Sequence, residues 1–239
     1  MASRRTMIVA ALLALQAPQE APSAGPIISQ MLARYANAVS AQGSIVTTQT
    51  ALSAKVTTTT EIALEKPNRL RIDQSRTGGQ KGEWLVISDG NRFAYDRPRG
   101  VFGKKRFNDV AEATLPDLYT AVLDSIGEKS IPLDIVIGRK NDLQAFVGML
   151  GPMALTSGAS LKGESVELAK GKYRKTSDAK FPAGDIEIVI TPAGDLRRIT
   201  TTEQYSNPQN KQEAIVVTTV FDVNIKIDVQ IQGDPFKVQ

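Results

Sequence analysis

The sequence predicts an α+β chain built on one large antiparallel sheet. Three observations carry that reading. In the last stretch Ile215, Val217, Thr219, Phe221, Val223, Ile225, Ile227, Val229 and Ile231 share one parity, while Asp222, Asn224, Lys226, Asp228 and Gln230 take the other. That is the period-two pattern of a strand with one buried face. Turn signals such as Asp89-Gly90-Asn91 and Ala193-Gly194-Asp195 join strand-like runs at hairpin distance. Helical periodicity is confined to a few stretches.

Ile28, Met31, Leu32, Tyr35 and Val39 fall at helical spacing after Gly25-Pro26, which predicts one amphipathic helix ended by Gly43. Residues 44–50 and 54–64 are rich in Val, Ile and Thr and read as strands. Lys66-Pro67-Asn68 is a turn, followed by a strand in which Leu70 and Ile72 face one way and Arg69 and Arg71 the other, toward water. Residues 84–88 and 92–96 pair around the Asp89-Gly90-Asn91 turn, and 101–107 returns. Leu115, Leu118, Tyr119, Val122, Leu123 and Ile126 mark a second helix, with Thr114 and Asp117 at capping-box-like spacing and Pro116 in its first turn. Residues 131–137 are apolar and fit either a strand or a helix. A shorter helix is expected over 142–150, before Gly151-Pro152. Strands resume at 186–191 and 196–205. The final alternation of seventeen residues would span about 56 Å, too long for one straight strand, so a bend or break is expected near Asn224. So large a sheet with so few helices needs another cover for its apolar face, and curling around that face leaves a hollow that the helices lid.

Two absences bound the chemistry. The 239 residues contain no histidine and no cysteine. Ser-His-Asp and Cys-His catalysis are therefore excluded, as are the usual zinc, copper, haem and iron–sulfur ligand sets. No catalytic, metal-binding or cofactor-binding residue is expected, and without disulfides the core alone holds the fold.

Arg4 and Arg5 precede an apolar run over 6–15, and Ala17 is a plausible cleavage point. Residues 1–17 thus read as a signal peptide, 18–26 as a Pro/Ala/Ser linker, and 27–239 as a single domain. The expected location is periplasmic or secreted. Residues 1–17 hold two arginines and no acid, so the mature chain carries 27 basic against 25 acidic residues. Such a balance does not indicate a nucleic-acid protein.

Several local features invite a functional reading. Gly78-Gly79-Gln80-Lys81-Gly82 lacks the spacing of a phosphate-binding loop and reads as a hairpin tip. Asp185 and Glu187 could be paired carboxylates, but alternate residues on one strand are more often a solvent face. Arg92, Arg97, Arg99, Lys104, Lys105 and Arg106 form a basic run interleaved with aromatics, a candidate contact for anionic lipid headgroups or envelope polymers. With one tryptophan and five tyrosines, aromatics are too scarce for a polysaccharide groove. An aliphatic hollow suits an acyl ligand better.

Met31-Leu32-Ala33-Arg34-Tyr35, Lys66-Pro67-Asn68-Arg69-Leu70-Arg71-Ile72, Ser88-Asp89-Gly90 leading to Tyr95-Asp96, and Phe221-Asp222-Val223-Asn224 with Gly233-Asp234-Pro235-Phe236-Lys237-Val238 together resemble the periplasmic lipoprotein-carrier superfamily of LolA and LolB. The likeness is greatest to an uncharacterised branch of predicted periplasmic proteins. The resemblance implies a curved antiparallel sheet, an unclosed half-barrel lidded by helices, with an apolar cavity for acyl chains. Leu70, Ile72, Ile186, Ile188, Phe221, Val223 and Ile225 are the expected lining. The expected role is a non-enzymatic, monomeric carrier that holds the acyl chains of a lipid or lipoprotein. The alternative is an envelope-stress sensor or regulatory partner that uses the same fold to engage an envelope protein.

Overall fold

The computed structural model describes residues 22–79, 81–96, 105–107, 118, 126–127, 129–175, 183–207, 210 and 213–237. Among them, eleven strands form one antiparallel sheet, and three helices pack on its inner face. Helix α1 (Gly25–Asn37) is followed by β1 (Ser40–Ala51), β2 (Ala54–Glu65), β3 (Arg69–Thr77), β4 (Gly82–Asp89), β5 (Phe93–Asp96) and β6 (Lys105–Phe107). Helices α2 (Ile131–Ile137) and α3 (Lys140–Met149) come next. Then follow β7 (Leu150–Leu161), β8 (Glu164–Tyr173), β9 (Gly184–Ile190), β10 (Leu196–Ser206) and β11 (Ala214–Ile227). The strand order is β6-β5-β4-β3-β2-β1-β11-β10-β9-β8-β7. The end strands β6 and β7 do not pair, so the curved sheet is an unclosed half-barrel, as expected from sequence.

Each segment forms for a legible reason. Pro26 starts α1, whose buried stripe is Ile28, Met31, Leu32 and Tyr35. The helix ends at Asn37, not at Gly43, because β1 already begins at Ser40. Lys66 Nζ donates to the otherwise unpaired carbonyls of Ala36, at 2.9 Å, and Tyr35, at 3.5 Å. Residues 131–137 resolve as helix. Ser130 is the N-cap, its hydroxyl accepting from Leu133 N, and Pro132 sits in the first turn. The expected helix over 115–126 falls mostly outside the described residues, although Leu118 and Ile126 belong to the apolar cluster.

Strand β11 runs without a break through Asn224 to Ile227, and the chain turns at Asp228, with φ +53°. Sheet coiling accommodates the length. From there residues 228–237 form a strap. Asp228 accepts from Val39 N at 2.9 Å, and Ser40 Oγ donates to Val229 O at 2.7 Å. The strap then reaches the outer side of β3. Arg69 donates to Asp234 at 3.1 Å and stacks on Phe236 with its guanidinium 4.5 Å from the ring centroid, while Arg71 donates to Pro235 O at 3.4 Å. The two arginines therefore face outward, as expected, but grip the C-terminus instead of only meeting water. Phe236 is buried there, as are Ala63 and Ile87, the cross-strand neighbours of Arg71. Replacing Phe236 by Ala is expected to cost about 3 kcal/mol in a urea melt, and Arg69→Ala less than that, since the guanidinium is partly solvated.

Candidate functional site

The inner face of the sheet follows from register alone. Ile45 lies between Val223 of β11 and Thr60 of β2, Ile62 is opposite Ile72, and Ile199 stands between Phe221 and Ile188. Leu70, Ile72, Ile186, Ile188, Phe221, Val223 and Ile225 all point to this face. All are buried, in one apolar cluster with Met31 and Tyr35 of α1 and Leu133, Ile135 and Val136 of α2. Side chains on the opposite parity behave differently. Asp222 pairs with Arg198, Glu187 with Lys170 at 2.8 Å, and Asp185 with Lys172. Asp185 and Glu187 are thus lysine-paired outer-face groups.

The inner face is not uniform along the strands. Where α1 and α2 cover it, it is aliphatic. Toward the hairpin tips of β1–β2 and β10–β11 the same parity becomes polar: Thr47, Thr58, Thr60, Gln74, Thr201, Thr219 and Glu203 are all buried. Gln74 Nε2 donates to Thr60 Oγ1 at 3.0 Å. Arg76 donates to Thr58 Oγ1 at 3.4 Å and to Gly127 O at 3.2 Å, with its guanidinium 5.3 Å from the Trp84 ring centroid. Glu203, only 3% exposed, accepts hydrogen bonds from the hydroxyls of Tyr173 and Tyr205, the latter at 2.7 Å, and its Oε1 lies 3.2 Å from Lys175 Nζ.

Burial opposes ionisation of Glu203, but the donated hydrogen bonds and the lysine outweigh it and hold the carboxyl below the ordinary 4.5. Burial, together with hydrogen bonding to Glu203, pushes Tyr173 up and Tyr205 up to about 12. Tyr35 rises to about 12, mainly through burial, with its hydroxyl oxygen accepting from Leu196 N at 3.2 Å.

A separate groove opens on the helical side. Leu32 and Ala36 of α1, Gly138, and Lys140, Leu143, Gln144 and Val147 of α3 line a space of about 550 Å³.

Sequence reasoning placed the inner parity but missed two features. Glu203 carried no clear signal, because its parity in the run 196–205 reads Arg197, Ile199, Thr201, Glu203, Tyr205 and only the fold shows that it is buried. The groove had none, because it joins segments a hundred residues apart. Of the basic run, Arg92 is paired with Asp89 at 3.5 Å. Arg97, Arg99 and Lys104 lie outside the described residues, as do the side chains of Lys105 and Arg106. Among the described residues no cluster of three or more His, Cys, Asp or Glu could hold a metal.

No protein-family model and no curated protein matches the chain. Solved structures do. LprF from Mycobacterium bovis is 11% identical with a TM-score of 0.44, over 88% of this chain and 97% of that one. The MucA/MucB complex of Pseudomonas aeruginosa aligns at 11% identity and a TM-score of 0.43, over 90% of this chain but 60% of the matched chain. A LolA superfamily protein from Nitrosomonas europaea aligns at 12% identity and a TM-score of 0.29, over 91% and 99%.

The sign of the pH dependence at Glu203 is fixed by its lowered value. Its contribution to stability is complete above the unfolded value of 4.5 and is lost as pH falls through the folded value. For Tyr173 and Tyr205, raised from 10.0, the contribution is complete below pH 10 and is lost as pH rises through the folded values. Tyr173→Phe is expected to cost about 1.5–3 kcal/mol at neutral pH and to flatten the acid limb of a stability–pH curve measured by urea melts.

Proposed function

We propose that this chain is a non-enzymatic extracytoplasmic binding protein that holds the acyl chains of a lipid or lipoprotein against the inner face of its half-barrel. The observation that carries the reading is the continuous aliphatic surface, Leu70 and Ile72 through Phe221, Val223 and Ile225 to Ile186 and Ile188, on one face of a sheet whose end strands β6 and β7 do not pair with each other. The physical driving force is removal of methylenes from water, about 25 cal/mol per Å². Helices α1 and α2 pack against this surface. An acyl chain takes it by displacing them, and the unclosed edge leaves room for that movement. The polar end, with Arg76, the threonines and Glu203, accommodates the part of an amphiphile that keeps its hydrogen bonds.

Displacement of a fluorescent fatty acid tests the reading. Phe221→Ala is expected to weaken probe binding about tenfold, since the ring supplies much of the apolar contact at its level. Asp222→Ala, on the outer face, removes a surface ion pair and is expected to leave binding unchanged and stability within about 1 kcal/mol. A wild-type protein that binds no acyl probe of any chain length would overturn the reading. Export is tested separately: N-terminal sequencing of the envelope-fraction protein is expected to begin near Pro18, and an intact Met1 on cytosolic protein would refute it.

A further inference from the structure

We propose that the groove between α1 and α3 is a second ligand site, specific for a single-chain aliphatic carboxylate. The ligand class rests on the acyl-binding reading above, whereas the site is distinct from the inner face. Lys140, Leu143, Gln144 and Val147 fall at i, i+3, i+4 and i+7, so they form one face of α3. Leu32 and Ala36, one turn apart on α1, form the opposite wall. The floor is Gly138, the C-cap of α2 in the left-handed region at φ +76°. A Cβ there would stand 3.0 Å from Tyr35 O and 3.2 Å from Ala36 Cα, so glycine lets the end of α2 rest directly on the α1 backbone.

The groove volume of about 550 Å³ falls in the range of small-ligand sites. Its walls are mainly aliphatic, and Val147 is 51% exposed, so its methyl groups are open to a ligand in the groove. Charge selects the occupant. The neighbouring cations are engaged, Arg139 with Asp142 and Lys129 with Asp134 at 3.5 Å. Among the described residues, Lys140 makes no ion pair and no carboxylate lines the groove. A carboxylate at Lys140 directs its chain along α3 toward Val147, about 10 Å away at the helical rise, with Leu32, Ala36 and Leu143 beneath it.

Calorimetric titration with octanoate, decanoate, dodecanoate and the neutral dodecanol tests this on the full mature chain. The expected affinity rises roughly three- to fourfold per methylene and is higher for dodecanoate than for dodecanol. Val147→Glu and Lys140→Glu both alter exposed side chains, and unchanged urea melts will show that they fold. Val147→Glu is expected to weaken dodecanoate at least about tenfold. Lys140→Glu is expected to weaken dodecanoate while leaving dodecanol unchanged. If both variants bind dodecanoate like the wild type while Phe221→Ala loses it, the groove assignment falls and the inner-face reading stands. If Phe221→Ala is unaffected and Val147→Glu is not, the groove stands and the inner-face reading falls. A wild-type dimer in light scattering that Val147→Glu dissolves, without fatty-acid binding, would assign the groove to a second copy and overturn the proposal.

Discussion

The pairing of β1 with β11 is the constraint on which the rest of the molecule depends. It joins residues near the start of the domain to residues near its end, Ala41 with Ile227 through Ala51 with Val217. Every other pair of neighbouring strands is consecutive in the chain. Without this seam there would be two separate meanders, each with an exposed edge. The seam also demands close approach. Gly43, at φ +146°, faces the Asn224 carbonyl so closely that a Cβ would lie 2.0 Å from its oxygen, and only glycine satisfies both the angle and the spacing. Loop-closure entropy makes such a distant pairing the slow, costly step of assembly. The reward is a single inner face whose aliphatic rows from both meanders meet at Ile45 and Val223.

Several residues that carry the superfamily resemblance turn out to hold the seam's surroundings together, at the end of the sheet where α1 enters. Lys66 caps α1. Asn68 Nδ2 donates to Gly90 O at 2.7 Å, and Ser88 Oγ donates to Asn68 O at 2.8 Å. Asp89 accepts from the backbone of Asn91 and Arg92, both at 2.8 Å, which closes the β4–β5 hairpin. Arg69 and Arg71 fasten the C-terminal strap. These short motifs therefore report the scaffold. Their polar members hold that scaffold, while Met31, Tyr35, Leu70, Ile72, Phe221 and Val223 from the same motifs belong to the inner apolar cluster, so ligand identity has to be argued from the inner face and the groove.

What the sequence made legible follows from periodicity and turn chemistry. The hairpins at Asp89-Gly90-Asn91 and Ala193-Gly194-Asp195, the inner parity of β3, β9 and β11, and the buried stripe of α1 were all visible. Strands β7 and β8 were not. Gly151, Pro152 and Gly158 interrupt β7, and its register with β8 shifts twice. These are the marks of a bulged strand near an edge, protected from edge-to-edge pairing. That edge is capped in part by residues 22–24, where Ala24 N donates to Met153 O at 3.0 Å and Leu155 N to Pro22 O at 2.8 Å, a tertiary contact no local pattern encodes. For α2 the apolar run hid a helix whose signals, Ser130 before it and Pro132 inside its first turn, were present but outweighed by β-branched residues. The groove depends on how α1 and α3 meet across Gly138, and so needed the fold itself.

On the proposed reading the same aliphatic face serves stability and binding, and that sets the energetics of a ligand. Met31, Leu133 and Ile135 already bury it, so an acyl chain bound there would gain only the difference between its own contacts and those the helices give up. The apparent affinity would then be the intrinsic affinity reduced by the fraction of molecules whose helices stand away from the sheet. A surface groove such as that between α1 and α3 carries no such reduction, because nothing among the described residues must leave it. The two proposed sites would therefore suit different tasks. The groove would meet a single chain at low cost, and the inner face would retain a larger ligand once enough methylenes arrive to outweigh the displaced helix contacts. On these readings the number of methylenes would decide whether the inner face is filled, and a carboxylate beside Lys140 whether the groove is.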